Sequence, residues 1–216
     1  MSQNKKWQVR IFFIGWMVLL FLFLRDTRFG FLALNTLLGY IPIELSFHIG
    51  NKPHQNSFVF WLLSLLWLLF YPNSPYILTD LLHLAWLHPD EANGLLRLDP
   101  HVWFLYTCLM ISALSCAFIG FWSLVHVAKA IDVKIHLPGN FSNFVTIVIL
   151  TVASSIGLFI GRFMRVHTIY LILSPRMYIR PFLNMWNMHM LVFVFLMTVL
   201  QLMIYWIYTI ISNNKE

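Results

Sequence analysis

The 216-residue chain predicts an all-α fold, a polytopic membrane helix bundle of about six transmembrane helices with one short broken or interfacial helix after the third. Three observations carry that prediction. Hydrophobic residues make up 60% of the chain and charged residues only 10%, with a mean hydropathy of +0.75, which excludes an ordinary soluble domain. Apolar runs recur from end to end, separated by short polar loops. One of these runs stops at Tyr71-Pro72-Asn73-Ser74-Pro75 and restarts carrying Asp80 and His83.

In chain order, Lys5, Lys6 and Arg10 precede the run Ile11 to Leu24, which meets Arg25-Asp26-Thr27-Arg28 with no small-residue cleavage site and reads as a retained span. The second run, Phe29 to Ile49, is long enough to cross and contains Asn35, Pro42 and Glu44. Phe58 to Phe70 is apolar but short, and crosses only where the bilayer is thin or the broken segment completes it.

Pro72 and Pro75 are expected to push Tyr71 and Ser74 out of the helical region, so that one helix ends near Phe70. Ser74 then caps a second helix, with Pro75 as its first residue, which His88-Pro89 stops. Its roughly thirteen residues fall short of the about twenty a span requires. At about 100° per residue, Tyr76, Thr79, Asp80, His83 and Leu87 share one stripe, and Trp86 falls among the apolar remainder. Irregular backbone at membrane depth survives only where it is buried in protein or lines a wet cavity, which makes the break the candidate site.

His88 to Asp99 reads as an aqueous loop, followed by a full span, Val102 to Val125, with Ser112, Cys116 and Gly120 at every fourth position. A polar loop, Lys129 to Asn140, leads to Phe144 to Gly161, where Ala153, Gly157 and Gly161 repeat at the spacing that lets helix backbones approach closely. These two spans are expected to pack along their small-residue stripes. Arg162-Phe163-Met164-Arg165 follows, then a loop with Arg176 and Arg180, then the last span, His189 to Ile211. No long linker divides the chain, so residues 1–216 read as a single integral membrane domain.

The net charge of +6 comes from basic residues in short loops, which points to membrane lipids as partners and not to nucleic acid. Cys108 and Cys116 lie about two turns apart in one helix and cannot pair. If the spans alternate, one face holds all six lysines with Arg10; the other holds the remaining seven arginines with Asp26, Asp80, Asp90, Glu91 and Asp99. Unpaired lysines mark a cytoplasmic face, so both termini are expected inside the cell membrane. Arg25, Arg28, Asp80, His83, Arg162 and Arg165 are then expected at the outer interface.

Tyr76, Thr79, Asp80, His83, Arg162 and Arg165 are the candidate ligand-binding residues. Arg162 and Arg165, one turn apart, suit a phosphate of an anionic lipid or lipid-linked envelope precursor, with Arg25 or Arg28 nearby. A competing reading pairs these arginines with Asp80 or Asp99 in a structural or accessory subunit of a membrane complex or transporter. A protein partner is compatible with either. Asp80 and His83, completed by His88, His101 or His167, would suit a membrane-embedded metal-dependent hydrolase, but two ligands in one helix without an H-E-x-x-H pattern define no metal site. Glu44, an acid within a span, is the type of residue that carries protons in a transporter. Binding is expected over catalysis, with no cofactor and no metal.

Phe70 to Leu84 (F-Y-P-N-S-P-Y-I-L-T-D-L-L-H-L) resembles the signature of an uncharacterised family of bacterial integral membrane proteins, a domain of unknown function. Gly157 to Arg165 (G-L-F-I-G-R-F-M-R) resembles that family's later Gly-Arg-Phe-x-Arg motif. The Trp-Asn and Trp-Asp that usually follow are replaced here by Val166, His167, Ile169 and Tyr170. The resemblance covers roughly the second to the last span and implies a bacterial cell membrane, without an activity.

Overall fold

A computed structural model describes residues 1–50, 56–88, 90, 95–137, 139–164 and 182–213. Seven α-helices are named in order: α1 (Gln3–Leu24), α2 (Phe31–Ser46), α3 (Ser57–Phe70), α4 (Asn73–Thr79), α5 (Pro100–Lys134), α6 (Asn140–Phe163) and α7 (Met188–Asn213). A 3₁₀ helix, Asp80–Leu87, continues α4 directly. Five segments are long and apolar enough to cross a membrane: α1, the run Ser57–Leu87, α5, α6 and Met188–Ile211; α2, at 16 residues, is a shorter apolar helix. The chain is an all-α, multi-pass membrane bundle.

α5 is its axis, packing against α2, α4 and α6, while α7 packs mainly on α6. At one end of the bundle, Leu20, Leu24, Phe29, Leu32, Leu105 and Leu109 enclose Leu81, Leu84 and Leu87 of the 3₁₀ helix. At the other, Ile49, Phe60, Val127, Ala128 and Ile147 close the core. Between α6 and α7, Thr198 Oγ1 and Gln201 Nε2 both donate to Ser155 Oγ at 3.0 Å, a polar seam within an otherwise apolar contact.

Three expectations about elements are corrected. The prolines divide α3 from α4 without expelling the chain from helical geometry: Tyr71 keeps φ −56°, ψ −38° and Pro72 keeps φ −53°, ψ −25°. Pro72 has no N–H to donate, and Asn73 Nδ2 instead donates to the Phe70 carbonyl at 2.9 Å, covering part of the deficit at the end of α3. Ser74 is therefore no cap. It lies within α4 and donates its hydroxyl to the Gly39 carbonyl of α2 at 2.7 Å.

α5 also runs on through the expected polar loop as far as Lys134, roughly 50 Å in all. The reason is Asp132, which is buried against α6 and accepts from Asn143 Nδ2 (2.9 Å) and Thr146 Oγ1 (2.6 Å). A partnered acid and the apolar Val127, Ala128 and Ile131 hold the extra turns in the bundle.

The small-residue stripes of α5 and α6 do not meet each other. Both receive the break. A Cβ on Gly120 of α5 would lie 2.6 Å from Ser74 Cβ, and one on Gly157 of α6 would lie 2.5 Å from Pro72 Cγ. α4 is thus seated between the two helices in grooves that only glycine leaves open.

Candidate functional site

The change from α to 3₁₀ winding at Asp80 decides which side chains share a face. With three residues per turn, Asp80, His83 and Trp86 stack in one row. The α-helical stripe expected from the sequence is corrected accordingly. Trp86 joins the row, and Leu87 leaves it to pack with the apolar end cluster. Eight residues of 3₁₀ helix is long for this geometry, and the row is what it delivers.

Asp80 stands at the inner end of the row with 0% exposure. Asn35 of α2 donates Nδ2 to Asp80 Oδ2 at 2.7 Å, and Arg162 of α6 donates Nη1 to Oδ1 at 3.0 Å. Arg162 also donates Nη1 to the Tyr76 hydroxyl (3.2 Å) and Nη2 to the Thr79 carbonyl (3.1 Å), with its guanidinium 5.4 Å from the centre of the Tyr76 ring. His83 Nδ1 lies 3.0 Å from the Asp80 carbonyl oxygen and 3.6 Å from Asp80 Oδ1. The tautomer protonated at Nδ1 donates to that carbonyl. His83 rests edge-on against Trp86, with ring centroids 4.4 Å apart.

Five of the six candidate residues, Tyr76, Thr79, Asp80, His83 and Arg162, are therefore in mutual contact; Arg165 lies outside the described residues. Thr79 takes part through its backbone carbonyl, since its hydroxyl donates to the Tyr76 carbonyl at 2.6 Å. Asn35 is the member that sequence reasoning left unassigned. Its signal was an amide inside an apolar run, a residue that needs a buried partner.

Chemically, the arrangement is a carboxylate locked between an amide and a guanidinium. Both Asp80 oxygens are occupied by these bonds and shielded from solvent. Arg162, with its side chain 18% exposed, and His83 reach the surface. Among the described residues no group of three His, Cys, Asp or Glu side chains comes together in a way that could hold a metal, and His167, one of the candidate completing ligands, lies outside them.

Glu44, the other acid within a span, sits toward the opposite end. Arg10 of α1 donates Nε and Nη2 to its two oxygens at 3.0 and 2.5 Å, and the Tyr40 hydroxyl donates at 2.6 Å. His48 Nε2 lies 3.2 Å away. Lys6, one turn before Arg10, donates to the Phe47 carbonyl at 2.9 Å. Such a fork-to-fork pair ties α1 to α2.

No curated protein and no solved structure matches the chain. A family described as Protein of unknown function (DUF1361) matches residues 34–204, from α2 to α7, and so takes in the break, the acid at its centre and the arginine that clamps it. On the strength of that match, the chain, itself a multi-pass helical bundle, belongs to the DUF1361 family of proteins of unknown function.

Proposed function

We propose that this protein binds the phosphate of an anionic lipid, or of a lipid-linked envelope precursor, at the end of the bundle formed by α4 and the 3₁₀ helix. That end faces outward in a bacterial cell membrane, with both termini cytoplasmic. Arg162 is the main ligand-contacting residue, joined by His83 and by Arg165, one turn further on. Tyr76, Thr79 and Asp80 hold Arg162 in place.

One observation carries this reading. Of the five N–H groups of Arg162, three go to Tyr76, Asp80 and Thr79, while Nε–H and one Nη2–H have no partner among the described residues. A guanidinium fixed on three sides and open on the fourth is pre-organised for a tetrahedral oxyanion, and its planar fork matches phosphate geometry.

Native mass spectrometry of the gently purified chain tests the proposal. The wild type is expected to carry an anionic lipid. Arg162→Lys keeps the charge but not the fork and loses that lipid, and the exchanged pair Asp80→Arg/Arg162→Asp regains expression without regaining it. Equal lipid retention by Arg162→Lys would overturn the proposal. The complete burial of Asp80 favours a second reading, in which the pair is only a bolt inside an accessory subunit of a membrane complex. In that case the exchanged pair recovers expression and every bound species together.

A further inference from the structure

At the outer end of the row formed by Asp80, His83 and Trp86 lies an open cavity of about 420 Å³, lined by Arg28, Ala85, Trp86 and His88. Its two cationic or protonatable side chains come from different parts of the chain. Arg28 belongs to the turn between α1 and α2, is exposed, and has no hydrogen-bond or ion-pair partner among the described residues. The neighbouring Arg25, by contrast, is engaged by Asp26 at 3.1 Å and lies over the Phe21 ring.

His88 closes the 3₁₀ helix at φ 43°, ψ 64°. A left-handed backbone is uncommon for any residue but glycine, and more so for one that precedes a proline, as His88 does. In this conformation the His88 N–H reaches the Ala85 carbonyl at 3.3 Å, and the turn places the residue at the cavity wall. Trp86 supplies the floor. It is 49% exposed yet fixed by edge contacts to Phe29, Phe31 and His83 at 6.2, 6.3 and 4.4 Å. Among the described residues no acidic side chain lines the space.

We propose that this cavity seats the polar substituent of the phosphate-ester headgroup, with Arg28 and His88 donating to its oxygens and Trp86 packing on its carbon skeleton, while the phosphate itself stays on Arg162. The inference rests on the anion-binding reading above and gives it a pocket: the row leads from the buried Asp80–Arg162 clamp through His83 and Trp86 to the cavity. The clamp therefore fixes the floor from within. The volume lies within the roughly 300–1,000 Å³ range of small-molecule sites and suits the polar substituent carried by a phosphate that Arg162 holds. Tryptophan at a membrane interface, beside two donors and with no acid among the described lining residues, favours an anionic headgroup over a zwitterionic one, whose ammonium would meet Arg28.

The test uses the full chain in nanodiscs of phosphatidylcholine titrated with phosphatidylglycerol, read by native mass spectrometry, with inorganic phosphate as competitor. Arg28→Gln and His88→Gly are each expected to weaken phosphatidylglycerol retention about tenfold, the loss of one charge-assisted hydrogen bond. Glycine at 88 accepts the left-handed backbone, so that variant keeps its melting temperature and its binding loss belongs to the imidazole.

Competition by inorganic phosphate would identify a soluble phosphate ester as the source of the ligand; the absence of competition would identify the lipid headgroup, and both outcomes support the pocket. Wild-type retention in both cavity variants, with loss in Arg162→Lys, would overturn the pocket alone. Wild-type retention in all three would overturn the anion-binding reading as well.

Discussion

Two acid–arginine pairs are tied to α2, nine residues apart along it: Glu44 carries one, and Asn35 supports the other. Glu44 meets Arg10 with side chains 30% and 17% exposed, and the two residues are 34 apart in sequence. Asp80 meets Arg162 with side chains 1% and 18% exposed, 82 residues apart. The chemistry is the same and the surroundings are not. Glu44, partly exposed, shares its pair with two further side chains, whereas Asp80 is shielded from water, takes its hydrogen bonds from Asn35 and Arg162 and has the His83 ring 3.6 Å away. The difference teaches that a membrane bundle can use one type of pair as a rim fastening between adjacent helices and the same type, buried, to hold a broken helix in register. The second use is the more vulnerable to loss of a single partner.

The largest expected effect follows from that dependence. Arg162→Ala leaves a buried carboxylate without its counter-charge and is expected to cost about 3–5 kcal/mol, against about 1 kcal/mol for Arg10→Ala, whose partner Glu44 stays partly exposed to water. Thermal unfolding in mild detergent reads both. Adding Asp80→Asn to Arg162→Ala removes the stranded charge and should recover a large part of the loss, because an amide needs hydrogen bonds but no counter-ion. A double variant no more stable than Arg162→Ala would show that the arginine acts through packing and not charge.

Next in size are the glycines that admit the break. Gly157→Ala would drive a methyl against the rigid Pro72 ring, and Gly120→Ala would drive one against Ser74; each is expected to cost about 1–3 kcal/mol by overpacking. Gly139, whose added Cβ meets nothing within 4 Å, serves as the control, and Gly139→Ala should change the melting temperature little. Smaller again is Ser74→Ala. It removes the bond to the Gly39 carbonyl but leaves the packing intact, and should cost about 1 kcal/mol. If Gly120→Ala and Ser74→Ala proved equal, hydrogen bonding and not close approach would be what seats α4.

The spans were legible in the sequence because lipid demands long apolar runs, and the break was legible because two prolines interrupt one of them. Its geometry was not. Proline chemistry alone favours expulsion from the helical region at Tyr71 and Ser74, yet Asn73 supplies the Phe70 carbonyl with a donor and the chain stays helical. The winding change at Asp80 was equally hidden. No residue type specifies eight residues of 3₁₀ helix, and the change depends on Asn35 and Arg162 pinning Asp80 from two other helices. Contacts of that kind join residues 45 and 82 positions apart, beyond the reach of any local pattern. The same holds for the small-residue stripes, whose spacing announces close packing without naming what packs there.

The smallest expected effect sharpens the comparison most. Glu44→Gln keeps a side chain of the same shape and an acceptor for the Tyr40 hydroxyl, and gives up the charge that faces Arg10 and His48 together with one acceptor of the Arg10 fork. At partly exposed groups the loss should stay below about 1 kcal/mol. It should also shrink as salt is raised toward 1 M, where the screening length falls to about 3 Å. A buried pair is screened far less, so the cost of Arg162→Ala should hold nearly constant across the same salt series. If both losses faded together, Asp80 would be in contact with water after all, and its burial beneath the break would no longer explain why Arg162 is held where it is.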